Sequence, residues 1–573
     1  MPLNNKNIAQ KLEEVAGLLE IKGENRFRIR SYRDAARVIS GMSEDLGGLV
    51  DSDGKLQDIP GIGESIAEKI KEIIKTGKLK QLEKLKKEIP ESLLEVMALE
   101  QMGPQRTKIL YEKLGVETIE DLKKAAQGGK IDDISGFGAK MSETILKAIE
   151  EYEESDHVGR FKLKEVEDRI ESLREYLKEE LDNISIAGSY RRKKETVGDI
   201  DILATSKNPK KGVDRFTSYE DVSRVLSKGD TKSSVILKSG MRVDLRVIEK
   251  RSYGAAMLYF TGSKAHNIEL RKIAQEKNMK VNEYGLFKGK KRIASKTEEE
   301  IYKKLDLRYV EPELRENKGE IEATRKNNLP GLIKPEDIKG DLQTHTKYSD
   351  GIYSIEDMVN AAEEMGYEYY AITDHSKRVT MAGGLDEKKL AEQIEKIDEL
   401  NKKMKKLKIL KAIEVDILED GSLDLSDDIL KELDLVVCAI HYYQNLSKKE
   451  QTKRVLKAME NPYFNILAHP TGRVIGKRKG YDIDLEKVMK EAKDKGCYLE
   501  INAAPDRLDL SDDNARMAKE MNLKLSISTD AHSIDQLKNM EYGVNQARRG
   551  WLEKDDVLNT RPWKELKKLL KRN

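Results

Sequence analysis

Residues 184–203 read ISIAGSYRRKKETVGDIDIL. Ile184 and Ile186 open an alternating apolar pattern that Gly188 and Ser189 break. Four cations follow, Arg191 to Lys194, and Asp199-Ile200-Asp201-Ile202-Leu203 closes the segment. The reading is strand, turn, basic segment, strand. Residues two apart on a strand share a face, so Asp199 and Asp201 point one way while Ile200 and Ile202 point into a core. Two carboxylates that close repel each other unless a cation lies between them, and a divalent metal is the usual cation. Downstream, Ser234–Leu237 and Met241–Ile248 predict a hairpin with Ser239-Gly240 at its tip. In the second arm Val243, Leu245 and Val247 alternate with Asp244 and Arg246, which puts Asp244 on a polar face. Three aspartates on adjacent strands suit two Mg2+ ions. The Gly188-Ser189 turn can aim N–H groups and a hydroxyl at a phosphate, with Arg192 as a bidentate partner. A lone Asp-x-Asp is usually a solvated strand edge. The combination of turn, basic run and third aspartate points instead to transfer of a nucleotidyl group.

These residues resemble the palm of the family X DNA polymerases. The family's Gly-Ser-aromatic-Arg-Arg stands here as Gly188-Ser189-Tyr190-Arg191-Arg192, and its Gly-Asp-x-Asp as Gly198-Asp199-Ile200-Asp201. The resemblance implies two Mg2+ ions on Asp199, Asp201 and Asp244, with Asp244 also helping to deprotonate the primer 3′-hydroxyl. It implies that Ser189, Arg192 and Gly198 hold the triphosphate. Residues 252–287 resemble the segment that closes on the incoming nucleotide. Tyr259-Phe260-Thr261-Gly262 matches the motif that contacts the sugar, Asn267 the minor-groove contact to the base, and Arg271 the contact to the template strand.

A chain of 573 residues is too long for one core, so three or four domains are expected. Charged residues make up 37% of it, yet the net charge is only +2, so any grip on nucleic acid comes from local patches. Cys438 and Cys497 both sit in apolar runs, which predicts reduced, buried thiols. No apolar run reaches the length of a membrane span and no signal-peptide pattern opens the chain, so a soluble, cytoplasmic protein is expected. Heavy Lys/Glu use with few cysteines fits a heat-tolerant source.

Residues 3–150 read as helices interrupted by three glycine turns: Pro60-Gly61-Ile62-Gly63, Met102-Gly103-Pro104 and Ser135-Gly136-Phe137-Gly138. Each precedes a helix bearing lysine or arginine. This is the form of the helix-hairpin-helix, whose glycines let backbone N–H groups approach a phosphate without reading sequence. Gly61, Gly63, Gly103, Gly136 and Gly138 are therefore candidate DNA-binding positions, with Na+ or K+ at the turns. The stretch 59–85 resembles the lyase domain of DNA polymerase beta. That resemblance implies a Schiff-base role for Lys69 and a 5′-phosphate pocket at Arg28 and Tyr32. Ser65 and Gln81 stand where that enzyme has lysines.

Five of the seven histidines lie in 338–573. Tyr369–Thr373 ends in Asp374-His375, Lys408–Ile413 in Glu414, and Leu433–Ile440 in His441. Phe464–Ala468 ends in His469, and Lys524–Thr529 in Asp530-Ala531-His532. His345 and Asp350 follow the first apolar run. Strands that alternate with helices and deliver a His or an acid at each C-terminal end describe a (β/α) barrel with a metal-filled mouth. Imidazole and carboxylate suit zinc, manganese or iron. The set resembles the PHP (polymerase and histidinol phosphatase) domain, a distorted (β/α)7 barrel. It implies two or three Mn2+ or Zn2+ ions on His345, Asp350, His375, Glu414, His441, His469, Asp530 and His532. The family's opening His-x-His reads Gln343-Thr344-His345 here, and an amide is a poorer ligand than imidazole.

The sequence is thus identified as a family X DNA polymerase with a C-terminal PHP domain, multidomain α+β and α/β. The expected domains are helical DNA-binding and lyase-like (1–85), further hairpin units (86–150), mixed-sheet palm and nucleotide-closing subdomain (151–312), linker (313–338) and PHP barrel (339–573). The expected task is filling short gaps in base excision repair, with 3′-5′ exonuclease action in the barrel. The alternatives are a structural, inactive barrel or a fused small-molecule phosphatase. Expected partners are gapped or primed duplex DNA and deoxynucleoside triphosphates, bound by a monomer, with no membrane.

Overall fold

The computed structural model describes residues 5–40, 56, 62–99, 102–134, 137–138, 141–149 and 160–570. They belong to two compact units, Met1–Gly159 and Arg160–Asn573. Gly61 and Gly136, expected in the hairpins, lie outside the described residues.

The first unit is helical. Asn5–Lys22 buries Ile8, Leu12, Val15 and Leu19 in one core with Ile66, Ile70 and Ile73 of Glu64–Thr76 and Leu110 of Pro104–Leu114. Gly63 and Gly103 are the N-caps of these last two helices, both extended, and a Cβ at either would meet nothing within 4 Å. These glycines leave open backbone ahead of a helix start rather than supplying a left-handed turn. Gly138, at φ +143°, does need its freedom.

The second unit begins with a five-stranded mixed sheet in the order Asp182–Ile186, Asp199–Thr205, Arg242–Val247, Lys232–Leu237, Val222–Lys228. Asp199–Thr205 and Arg242–Val247 run parallel, and the other pairs are antiparallel. One face buries Ile200, Ile202, Val243 and Leu245 beneath the helices Leu163–Leu177 and Pro209–Thr217. On the opposite face Leu203 is covered by Ala256 and Met257 of the helix Tyr253–Thr261. The N-terminal ends of the two parallel strands, with the aspartates, stay uncovered. Lys264–Glu276, a three-stranded meander over 279–294 and Glu298–Lys304 complete this half.

The 313–338 segment, expected to be a linker, is packed. Arg315 is fully buried, donating Nη1 to Glu298 Oε1 (2.6 Å) and Nε to the Val310 carbonyl (2.9 Å). Buried Glu320 meets His266 Nδ1 at 2.6 Å, and His266 Nε2 meets the Tyr302 hydroxyl at 2.7 Å. Charge in this segment is internally paired, which a polarity-based reading takes for solvation.

The last domain is a seven-stranded, all-parallel, nearly closed barrel from Gly340–Asp341 to Leu525–Ser528. Strands buried on both faces read as continuous apolar runs. The gap between first and last strands is bridged by Asn559. Its amide donates to the carbonyls of Gly340 and Ile527 (2.8 Å each), and its Oδ1 accepts from Ile527 N (3.0 Å). Leu566 and Leu570 of the helix Trp563–Leu570 plug the barrel floor against Leu342, Ala412 and Val437. Capping boxes at Ser354/Asp357 and Ser447/Glu450 start two of the barrel's outer helices. Cys438 and Cys497 are both buried here. Among the described residues, no helix is long and apolar enough to cross a membrane.

Removing one partner of a buried ion pair strands the other. Arg315→Ala, which leaves Glu298 with Arg191 as its one paired cation, is expected to destabilise the Arg160–Asn573 unit by about 3–5 kcal/mol in urea denaturation. Arg315→Ala/Glu298→Ala should lose less than the sum of the single variants.

Candidate active sites

In the palm, Asp201 is paired in register with Asp244 across the parallel strands, and Asp199 lies opposite Arg242. All three carboxylates lie on one face, at the strand ends beyond the part covered by the helix Tyr253–Thr261. Gly188, at φ +64°, lies so close that a Cβ there would come within 2.9 Å of Asp201 Oδ2. The turn carrying Ser189 is thereby pressed against the acids. Burial, then Asp199 and Asp244, push the Asp201 carboxyl up to about 7. Burial and Asp244 raise Asp199 as well. Arg242 Nε is 3.4 Å from Asp244 Oδ1, and Arg246 and Arg160 also act on the cluster from nearby. A cluster that draws protons this strongly is suited to draw divalent cations instead.

Beside the triad, Gly198 directly precedes Asp199. Tyr259 and Phe260 meet edge to face at 5.0 Å. Arg271 lies over Tyr259 (5.3 Å) and Arg246 over Phe260 (4.5 Å). Asn267 donates to the Tyr259 carbonyl at 2.7 Å. Gly262, at φ +67°, leaves room for Arg192: a Cβ there would lie 3.3 Å from Arg192 Nη1. Arg192 itself is occupied, donating Nε to Glu316 Oε1 (2.9 Å) and Nη1 to the Thr261 carbonyl (2.6 Å). Arg191 faces the other way and forks onto Glu298 at 3.0 and 2.6 Å.

In the barrel, Glu414 is the hub. Its oxygens lie 2.8 Å from His375 Nδ1, 3.0 Å from His469 Nε2, and 3.7 Å from both His345 Nε2 and His441 Nε2. Asp350 lies 3.5 Å from His375 and 3.4 Å from His532. Asp530 Oδ1 is 3.1 Å from His345 Nε2. The ligand atoms fall into two groups sharing His375: His345, Asp350, His375, His532, and His375, Glu414, His441. The fit to metal ions rests on ligand atoms gathered against one another in the barrel mouth. His469 Nδ1 is buried without a partner, and both nitrogens of His345, Nδ1 of His375 and Oε2 of Glu414 are buried facing only other residues of this same set. Burial opposes a charged imidazole at His375, yet Glu414 and Asp350 push it up to about 11. Gln343 differs. Its Nε2 donates to Glu414 Oε1 at 3.0 Å, while its Oε1 is buried without a partner. An N–H group thus faces the carboxylate where the family has imidazole.

Residues 256–316 match the DNA polymerase beta thumb, 3–79 a helix-hairpin-helix domain, 91–151 a SAM-like helix-hairpin-helix tandem and 341–504 the PHP domain. The DNA polymerase/3′-5′ exonuclease PolX of Bacillus subtilis (strain 168) is 37% identical over 582 residues, covering 100% of both chains. This chain belongs to the PolX family, the family X DNA polymerases that carry a PHP domain. Two further relatives divide it. A probable phosphatase of Thermoanaerobacter sp. (strain X514) is 32% identical over 38% of this chain and 89% of its own. DNA polymerase lambda of Arabidopsis thaliana is 26% identical over 54% of this chain and 61% of its own. Membership in the PolX family brings divalent-metal use, DNA binding and nucleotide substrates with it.

In the N-terminal unit of this PolX chain, Lys69 Nζ sits 5.8 Å from the Tyr32 ring centroid. Burial and then Arg28 lower its pKa. The two departures from the beta pattern are the direct partners of this pocket. Ser65 Oγ accepts from Lys69 at 2.8 Å, and Gln81 Oε1 accepts from the Tyr32 hydroxyl at 2.6 Å.

The structure also assembles residues that sequence reasoning passed over. Asp416 Oδ1 accepts from His441 N (3.0 Å) and lies 3.1 Å from His441 Nδ1, orienting that ring. Asp416 follows Glu414 by two on one strand, the same spacing that exposed Asp199 and Asp201, so the signal was present. Asp374, noted in the sequence only as the neighbour of His375, holds the loop bearing Asp350 through Thr346 and Ser349 and accepts from Gln393 of the helix Glu387–Lys403. Fully buried Glu500 receives His469 N at 2.8 Å and lies among apolar strand residues.

Asp201 at about 7 sits above the unfolded value near 3.9, so ionising it costs the metal-free protein stability, increasingly as pH rises between the two. Metal-free Asp201→Asn should therefore melt above wild type near pH 8 and level with it near pH 4, with excess Mg2+ reversing the pH 8 order in calorimetry. Gln343→His removes the amide donor and adds an imidazole. After chelation, reloading and desalting, retained metal is expected to rise by about one ion per chain.

Proposed function

We propose that this chain is a gap-filling DNA polymerase of base excision repair whose barrel removes nucleotides from 3′ ends. The observation that carries the reading is the in-register pairing of Asp201 with Asp244, with Asp199 on the same face, beside the cluster of Arg192, Gly262, Tyr259 and Phe260. Asp199, Asp201 and Asp244 would hold two Mg2+ ions, which when bound neutralise the pyrophosphate leaving group and acidify the attacking hydroxyl. Asp244 takes the proton of the primer 3′-hydroxyl. Ser189 and Arg192 orient the triphosphate, Tyr259 and Phe260 wall the sugar, and Asn267 and Arg271 address the base and the template. The glycine hairpins at Gly63, Gly103 and Gly138 offer backbone N–H groups to phosphates, with Na+ or K+ at the turns. Lys69, with its pKa lowered beside Arg28 and Tyr32, would serve a lyase step on a 5′-sugar phosphate.

In the barrel, His345, Asp350, His375, Glu414, His441, His469, Asp530 and His532 would hold Mn2+ or Zn2+, which when bound activates water against a phosphodiester. Asp416 keeps the His441 ring in one orientation. The protein acts as a cytoplasmic monomer on gapped or primed duplex. The likeness of the barrel to a probable phosphatase supports a second reading, hydrolysis of a small phosphate ester. Competition between a sugar phosphate and a DNA 3′ end for the barrel separates the two.

Asp199→Ala should lower nucleotide addition on a gapped duplex by more than about a hundredfold, beyond the effect of an outer-shell loss, and leave 3′-end hydrolysis intact. His441→Ala should do the reverse. Loss of both activities in either variant would rule out two independent centres.

A further inference from the structure

Glu316 is nearly buried, with 13% of its side chain exposed, and three cations converge on it. Arg192 Nε is 2.9 Å away, Arg549 Nη1 3.3 Å, and Lys194 Nζ 3.7 Å. The first and last belong to the palm turn, whereas Arg549 belongs to the barrel helix Met540–Arg549. Arg549 is itself only 5% exposed. It also donates Nη1 to the Arg192 carbonyl (2.8 Å) and Nη2 to Asp512 Oδ2 (2.5 Å) at the start of another barrel helix. Arg192 is the guanidinium assigned above to the triphosphate, and it is 11% exposed and engaged.

A guanidinium fork recognises carboxylate and phosphate by the same geometry, so one edge of Arg192 cannot serve both anions at once. We propose that Glu316 is a competing counter-ion for Arg192, displaced when a triphosphate arrives, and that Arg549 of the barrel sets how readily it lets go. Leaving a buried carboxylate uncompensated would be costly. Arg549 and Lys194 remain on Glu316 when Arg192 departs, so the exchange strands no charge. The barrel thereby supplies a residue that tunes nucleotide affinity in the palm, with Glu316 and Arg549 acting as positioning residues through Arg192. By reciprocity, a bound triphosphate leaves Glu316 freer to hold Arg549.

The inference rests on the triphosphate reading of Arg192, and the test separates the two. Full-length protein is assayed for single-nucleotide gap filling, and for dNTP binding to a complex with a dideoxy-terminated primer, alongside 3′-end hydrolysis. Arg192→Gln should raise the dNTP KM more than about tenfold. If it does not, the pocket reading fails. Glu316→Gln should lower KM and the dNTP dissociation constant about five- to tenfold with kcat held within about twofold. Arg549→Gln, which leaves Glu316 to Arg192 and Lys194, should raise KM, and Arg549→Lys should restore most of it. Hydrolysis at wild-type level shows that each variant is folded. Should Glu316→Gln fail that check, Glu316→Asp, with its shorter reach, is expected to lower KM in the same direction. With Arg192→Gln impaired, an unchanged or raised KM in the folded Glu316 variant overturns the proposal, and so does an Arg549→Gln that binds dNTP as wild type does.

Discussion

Carboxylates held where water cannot fully solvate them govern the whole Arg160–Asn573 unit. An anion in such a place must be answered by a cation, a proton or a metal. The chain answers its acids in two ways, and the difference marks where chemistry happens. Glu298 is burdened by burial, yet Arg315 and Arg191 hold it down to about 2. Glu316 and Asp512 are likewise answered by arginines from elements distant in sequence. These acids already have cations of the protein itself as partners. Asp199 and Asp201 face each other and Asp244, and both are raised despite the nearby Arg242, Arg246 and Arg160. Glu414 is surrounded by imidazoles, which can surrender a proton where a guanidinium cannot. Only the second kind of acid can exchange its partner for a divalent ion.

The same distinction explains what the sequence disclosed. Period-two alternation on a strand is a local signal, and Asp199, Asp201 and Asp244 emerge from it with the correct face, because Ile200, Ile202, Val243 and Leu245 are all driven into one core. Histidines after apolar runs are local signals too, and the parallel strands bring those side chains to one mouth. Pairings between distant elements leave no such trace. Nothing near Arg315 in sequence says that it is fully buried against Glu298, so 313–338 reads as a polar connector although it packs. His266 likewise is buried against Glu320 and Tyr302, 54 and 36 residues away. Arg192 was legible as an anion-binding residue. Its anion in this structure, Glu316, lies 124 residues away.

Gln343 shows how a single substitution is read differently by sequence and by geometry. As a motif position it is a missing ligand. In place, its amide nitrogen faces Glu414 Oε1 at 3.0 Å, so the position is filled by a donor rather than left vacant. The hub carboxylate therefore keeps a permanent neutral partner on one oxygen, and the remaining ligand atoms gather into two groups. The Ser65 and Gln81 exchanges act similarly near Lys69. Each replaces a repelling cation by a neutral acceptor, which leaves burial and Arg28 to lower the lysine's pKa.

The palm and the barrel are also joined by more than a chain connection. Leu508 and Tyr542 of the barrel are buried in the palm's own apolar core, with Ile475 packed against it. Arg473 reaches from the barrel to Glu195 at 2.7 Å, and Lys162 pairs with Asp506. The 504–511 loop faces both ways. Arg507 lies 3.7 Å from Asp530 in the barrel mouth, while Asp506 and Leu508 engage the palm. A palm cut from its barrel would expose apolar surface and leave Glu316 and Glu195 each short of a cation. Synthesis and hydrolysis at a 3′ end thus sit in elements whose cores and charges are completed by one another.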